Sequence, residues 1–160
     1  MGTLHVLFVC TGNICRSPTA EAVLRTLGEA RGMAEQIEVD SAATHGYNVG
    51  LAPDPHAVRA AALRGYEMIA LRARQVCIAD HHRFDLMLAM DRDNLRHMER
   101  QRPPDGHARL ALLLDYAPET AAMFGHEVPD PYGGDARDFE FALDLVEQGV
   151  RGLLNAIRAQ

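Results

Sequence analysis

The feature that most limits what this chain can fold into is its start. Leu4 to Cys10 (LHVLFVC) is a short, nearly continuous apolar run rich in Val and Leu. Such a run reads as a strand buried on both faces, the kind found in the middle of a parallel sheet. It stops at Thr11-Gly12-Asn13, and a helix is expected to begin behind Ser17-Pro18, because Ser is a favoured N-cap and Pro suits the first helical position. Ala20, Val23, Leu24 and Leu27 then fall at i, i+3, i+4 and i+7, and Gly32 offers a stop.

The same order of elements recurs downstream. Ile37 to Ser41 reads as a second strand, followed by a turn-rich loop from Thr44 to Pro53. Asp54-Pro55 starts a helix reaching about Arg64 and closed by Gly65. Leu86 to Met90 is a third buried strand, with Asp91 as N-cap of a helix that ends before Pro103-Pro104. Arg109 to Leu114 holds a fourth strand. Phe139, Ala142, Leu143, Val146, Val150, Leu153, Leu154 and Ile157 mark one face of a long terminal helix. Alternating strands and helices argue an α/β fold with an open, twisted parallel sheet and helices on both faces. With no internal repeat and no linker, residues 1–160 are expected to form a single domain. In such sheets a ligand sits outside the carboxyl ends of the strands.

Composition narrows the chemistry. The chain is 48% apolar and 24% charged, which excludes intrinsic disorder. A net charge of −6 gives no global attraction to nucleic acid or to a membrane surface, so an anion must be captured by a local basic site. No apolar run approaches the ~20 residues of a transmembrane helix. Met1 to Cys10 lacks the basic region and cleavage site of a signal peptide. Three cysteines, Cys10, Cys15 and Cys77, are too few for a disulfide framework and point to a reducing cytoplasm.

Chemistry concentrates in Cys10-Thr-Gly-Asn-Ile-Cys-Arg16-Ser17-Pro18, the phosphate loop expected between the first strand and the first helix. A loop of this length can turn successive N–H groups inward, and with the helix dipole and Arg16 they make a cradle for a tetrahedral dianion. Gly12 permits close approach, and Asn13 tolerates the left-handed conformation. The Arg16 fork suits two phosphate oxygens at once. Cys10 lies beneath that anion in a positive field that favours its thiolate, and Ser17 is placed to donate to it. No Gly-Lys-Ser/Thr follows, so this is not a nucleotide-binding loop.

The run Val9-Cys10-Thr11-Gly12-Asn13-Ile14-Cys15-Arg16-Ser17-Pro18-Thr19-Ala20-Glu21 closely resembles the phosphate loop of the low-molecular-weight protein tyrosine phosphatases. The resemblance continues in Asp40-Ser41-Ala42-Ala43-Thr44, Pro53-Asp54-Pro55, Ala73-Arg74-Gln75, Met90-Asp91 and Asp130-Pro131-Tyr132, so it covers essentially the whole chain. It implies four parallel strands and two-step phosphomonoester hydrolysis through a phosphocysteine, with no metal and no organic cofactor. Thr11, Gly12, Asn13, Ile14, Cys15, Arg16 and Ser17 would bind the phosphate, while Ser41, Asn13 and Ser17 hold the loop. Asp130, stiffened between Pro129 and Pro131, would be the general acid. Tyr47 and Tyr132 would form the aromatic rim, and Cys15 would pair reversibly with Cys10 under oxidation. The implied partners are tyrosine-phosphorylated proteins, a tyrosine kinase among them, with a monomer as the default.

Two residues, Gly133 and Leu71, depart from that pattern. Gly133 follows Tyr132 where many members carry an aromatic, which resembles the protein arginine phosphatases, yet those usually have Thr where Ile14 stands. Leu71 replaces a loop-supporting histidine. Arsenate reductase of the same fold is a further alternative, but only Cys77 lies downstream to pass a disulfide along. A non-catalytic phosphate-binding module would have no need of Cys10 and Asp130 together. Asp91 reads as a helix cap rather than a nucleophile. His81, His82, His97 and His107 lack zinc-ligand spacing and are expected to be exposed polar residues.

Overall fold

The structure is a computed structural model describing residues 2–158. Four parallel strands, β1 (Leu4–Cys10), β2 (Ile37–Ala43), β3 (Leu86–Ala89) and β4 (Arg109–Leu112), form one open sheet in the order β2-β1-β3-β4. The helices are α1 (Arg16–Ala30), α2 (Pro55–Ala62), α3 (Asp80–Arg83), α4 (Arg92–Gln101), α5 (Pro118–Phe124) and α6 (Ala136–Arg158). β1 is central, with Leu4 opposite Ile37, Cys10 opposite Ala43 and Val6 opposite Leu86.

Period-two alternation divides β1 between two apolar layers, as a strand covered on both faces requires. Val6, Phe8 and Cys10 join the layer under α1, α2 and α6. Leu7 and Val9 join the layer under α4, where Met98 and Phe84 are buried. The chain leaves β1 for β2 on one side, and β3 lies on the other. The carboxyl ends of β1 and β3 therefore open a crevice at a topological switch point, with Cys10 and Asp91 on its two lips.

Several boundaries differ from the sequence reading, each for a local reason. Helix α1 starts at Arg16, not behind Ser17: Cys15 is its N-cap and caps with no side chain. Ser17 cannot cap because its hydroxyl is bonded to Cys10 and Asn13. β2 runs two residues further, to Ala43, because Ala42 and Ala43 still pair with Val9 and Cys10. α2 stops at Ala62, β3 at Ala89 and β4 at Leu112.

Leu113 to Tyr116 form a 3-10 turn rather than strand, with Leu113 and Leu114 buried. The turn presses onto α6 at Gly149 and Gly152; a Cβ on Gly152 would stand 1.8 Å from the Tyr116 carbonyl oxygen. The short α3 and α5 were too brief to show a helical period. His81 is fully buried, not exposed: α3 tucks it under the start of β4, where its carbonyl accepts from the His107 and Ala108 N–H groups. Among the described residues no helix is long and apolar enough to cross a membrane.

Candidate active site

Cys10 ends β1, and residues 11–15 carry the chain into α1. Asn13 adopts φ 55°, the left-handed conformation that Asn accepts more readily than most residues. This turns the loop back on itself, so the Asn13 N–H donates to Cys10 Sγ at 3.3 Å. Gly12 is tightly overlaid: a Cβ there would meet Asn48 Nδ2 at 2.7 Å. Helix α1 opens with neither a side-chain cap nor an acidic residue in its first turn. Its dipole and first N–H groups are left to an anion.

A hydrogen-bond network behind the loop fixes this shape. Asn13 Nδ2 donates to Ser17 Oγ at 2.8 Å and to Ser41 Oγ at 3.0 Å, and its Oδ1 accepts from the Arg74 N–H at 3.0 Å. Ser17 Oγ lies 2.9 Å from Cys10 Sγ. Arg74 is itself anchored through its guanidinium, with both arms on Asp80 at 3.0 Å and Nε on Asp40 at 3.0 Å. Ser41 donates to the buried Glu21 at 2.7 Å.

The Arg16 side chain is buried beside this loop. Its Nη1 donates to Asp91 at 2.7 Å and to the Val128 carbonyl at 3.0 Å, so one arm of the expected fork is already taken. Nη2 reaches Thr11 Oγ1 at 3.4 Å and stands 3.7 Å from Asp130. Among the described residues Nε is buried without a partner. The edge left for an anion is therefore Nε with Nη2. Burial works against the guanidinium's charge, but Cys10, Asp91 and Asp130 outweigh it and raise its pKa.

Cys10, Gly12, Ile14, Cys15 and Arg16 line a cavity of about 190 Å³. Tyr47 and Asn48 from the β2–α2 loop, and Asp130 and Tyr132 from the loop before α6, complete its walls. Tyr47 and Tyr132 are each about two-thirds exposed, at 67% and 66%, as a rim rather than a core requires. Asp130 is half exposed, steadied where its Oδ1 accepts from the Tyr132 N–H at 3.1 Å. Thr11, Asn13 and Ser17 do not line the cavity; their side chains belong to the support network. Cys15 lines the same cavity as Cys10. Burial, then Asp54 and Cys10, push its thiol well above the usual range, which keeps it neutral.

Sequence reasoning missed Glu21, Asn48 and the second role of Asp91. Asp91 caps α4 by accepting from the Asn94 N–H at 2.9 Å and also holds Arg16. Its place at the carboxyl end of β3, across the switch point from Cys10, was the available signal. A wider groove of about 450 Å³ runs beside β2 between Arg25, Glu38 and Arg83, and it contains no nucleophile. Among the described residues no cluster of His, Cys, Asp or Glu is placed to hold a metal ion.

A family profile described as low molecular weight phosphotyrosine protein phosphatase matches residues 5–160. The chain is 42% identical over 159 residues to a low molecular weight protein-tyrosine-phosphatase of Streptomyces coelicolor, covering 99% of this chain and 96% of that one. Its fold is similar to the crystal structure of a protein tyrosine phosphatase from Entamoeba histolytica, with TM-score 0.91, 31% identity and 98% of each chain covered. It is also similar to a Drosophila arginine phosphatase, with TM-score 0.86 and 30% identity over 96% of this chain and 97% of that one.

Proposed function

We propose that this chain, which belongs to the low molecular weight phosphotyrosine protein phosphatase family, hydrolyses phosphotyrosine in proteins through a phosphocysteine on Cys10. The observation that carries this reading is Arg16. Among the described residues its buried Nε–H has no partner, yet the side chain lines the cavity that contains Cys10. A buried donor left unpaired is costly, and an oxyanion seated over the sulfur satisfies it.

The chemistry follows from the layout. The Cys10 thiolate attacks phosphorus, the bond from phosphorus to the tyrosine oxygen breaks, and Asp130 gives that oxygen its proton. Water then attacks the phosphocysteine, Asp130 takes a proton from it, and the sulfur leaves as thiolate with inorganic phosphate released. Arg16 and the loop N–H groups bear the charge on the equatorial oxygens in both steps. Asp91 and the Val128 carbonyl fix Arg16 in advance, so little reorganisation is needed. Tyr47 and Tyr132 flank the substrate ring, and Ile14 gives it an apolar contact.

A second reading, phosphoarginine hydrolysis, is favoured by Gly133, which leaves the rim beyond Tyr132 open. Specificity constants on matched phosphotyrosine and phosphoarginine peptides separate the two, and a preference for phosphoarginine overturns the first. Cys10→Ser is expected to abolish turnover while retaining vanadate binding, because the cradle remains. Near-native turnover in that variant would refute the mechanism.

A further inference from the structure

The aromatic rim at the mouth of the cavity continues past Tyr47. His45 packs against the Tyr47 ring at 5.7 Å between centroids, and His97 of α4 packs against His45 at 6.1 Å. His45 Nδ1 lies 2.8 Å from Thr44 Oγ1, which settles that ring by one nitrogen. Asn94, one turn before His97, is hydrogen-bonded to Thr11 Oγ1 at 3.1 Å, so this face of α4 abuts the phosphate loop. Arg100, one turn after His97, is exposed.

Three basic side chains thus stand together beside the mouth, and nothing acidic offsets them. Burial, then the charges of His45 and Arg100, hold the His97 ring below the usual imidazole range. Asp93, the carboxylate one turn before His97, is paired with Arg96. Among the described residues no carboxylate lies within ion-pair distance of His45, His97 or Arg100. The chain carries 22 acidic side chains against 16 Lys and Arg, so a group of like positive charges left unpaired is unusual on its surface. An anion seated among them relieves the repulsion.

We propose that His45, His97 and Arg100 form a docking site for a substrate carboxylate, an acidic side chain a few residues from the phosphotyrosine on the same protein. The proposal rests on the phosphatase reading above and names the class of segment that the site accepts. The docking site is continuous with the cavity through two ring contacts, a span that two or three residues of extended chain cover at about 3.4 Å each. Arg100 supplies one full charge at neutral pH, which matches the single charge of a carboxylate. A seated carboxylate favours the charged form of His97, so its hold strengthens as pH falls and a proton is taken up.

Phosphotyrosine peptides of otherwise neutral sequence test this, with one Glu set in turn at each nearby position on either side. Each is compared with the same peptide carrying Gln there. The ratio of the two kcat/KM values is read at low salt, at about pH 7.5 and about pH 6.0. One or two neighbouring positions should favour Glu about threefold at the higher pH, the scale of one exposed ion pair, and more at the lower. High salt should erase the preference. Each ratio is taken within one protein at one pH, so ionisation of the phosphate and any general loss of activity cancel.

Arg100→Gln should bring the ratio at the favoured positions close to one at the higher pH. His45→Gln/His97→Gln, which keeps Arg100, should leave a preference that no longer grows as pH falls. A wild-type ratio of one or less at every position overturns the proposal. So does a Glu preference equal at all positions, which would be a field without a site, and so does a preference that both variants retain unchanged. A wild-type protein that turns over none of the peptides would instead refute the phosphatase reading, so the two failures read separately.

Discussion

Replacing Asn13 separates two contributions that the loop combines. Asn13→Ala removes three side-chain hydrogen bonds, two donated to Ser17 and Ser41 and one accepted from Arg74. At about 1 kcal/mol net for each, these contribute about 3 kcal/mol. Alanine must also hold the left-handed φ of 55°, which costs it about 1 kcal/mol more. The sum is about 4 kcal/mol. Asn13→Gly loses the same bonds but adopts that φ freely, so it should lose only about 3 kcal/mol.

For a chain of 160 residues, 1 kcal/mol corresponds to about 2–4 °C in Tm. The alanine variant should therefore melt about 8–16 °C below wild type, with glycine a few degrees above it. Thermal unfolding by circular dichroism reads this, with urea titration as a check that the slope is unchanged. Turnover should fall in both variants, since the Asn13 N–H and Ser17 then lose their fixed aim at Cys10. A glycine variant no more stable than alanine would refute the left-handed contribution. A loss below 1 kcal/mol in both would show that the network opens locally and does not bear on global stability.

Asp130→Asn should slow the phosphorylation step by roughly 10²–10⁴ on phenyl phosphate and much less on p-nitrophenyl phosphate, whose leaving group needs no proton. Equal losses on the two in single-turnover release would move the acid elsewhere. Iodoacetate at neutral pH should label Cys10 and the exposed Cys77 but not Cys15, whose buried thiol stays protonated; peptide mass spectrometry after digestion checks this. Tyr66 has its hydroxyl pushed up to about 12 by burial and by its bond to Glu147. A raised folded pKa stabilises fully below the unfolded value near 10 and is lost as pH climbs toward 12. Tyr66→Phe should flatten that alkaline fall in stability, measured as Tm against pH from 9 to 12.

Much of this site was legible because local chemistry and fold topology agree on it. The apolar run from Leu4 to Cys10 has one comfortable place, the middle of a sheet, and that places a cysteine on the crevice at its carboxyl end. Asp91 was legible as a cap because capping is local; its bond to Arg16 spans 75 residues and depends on β1 and β3 being neighbours. Glu21 shows the same limit in sharper form. In sequence, Glu21 and Arg25 look like an ordinary exposed pair four residues apart on a helix.

Only the pairing of β1 with β2 puts Ser41 against that carboxylate and turns a surface motif into a buried acceptor. Ser17 misled for the related reason that its hydroxyl is already engaged by Cys10 and Asn13. Its local preference is to cap the helix, and the tertiary network claims it for Cys10. A residue that gives up a favourable local role has a compensating one in the folded chain, and here that role is a hydrogen bond to the nucleophile.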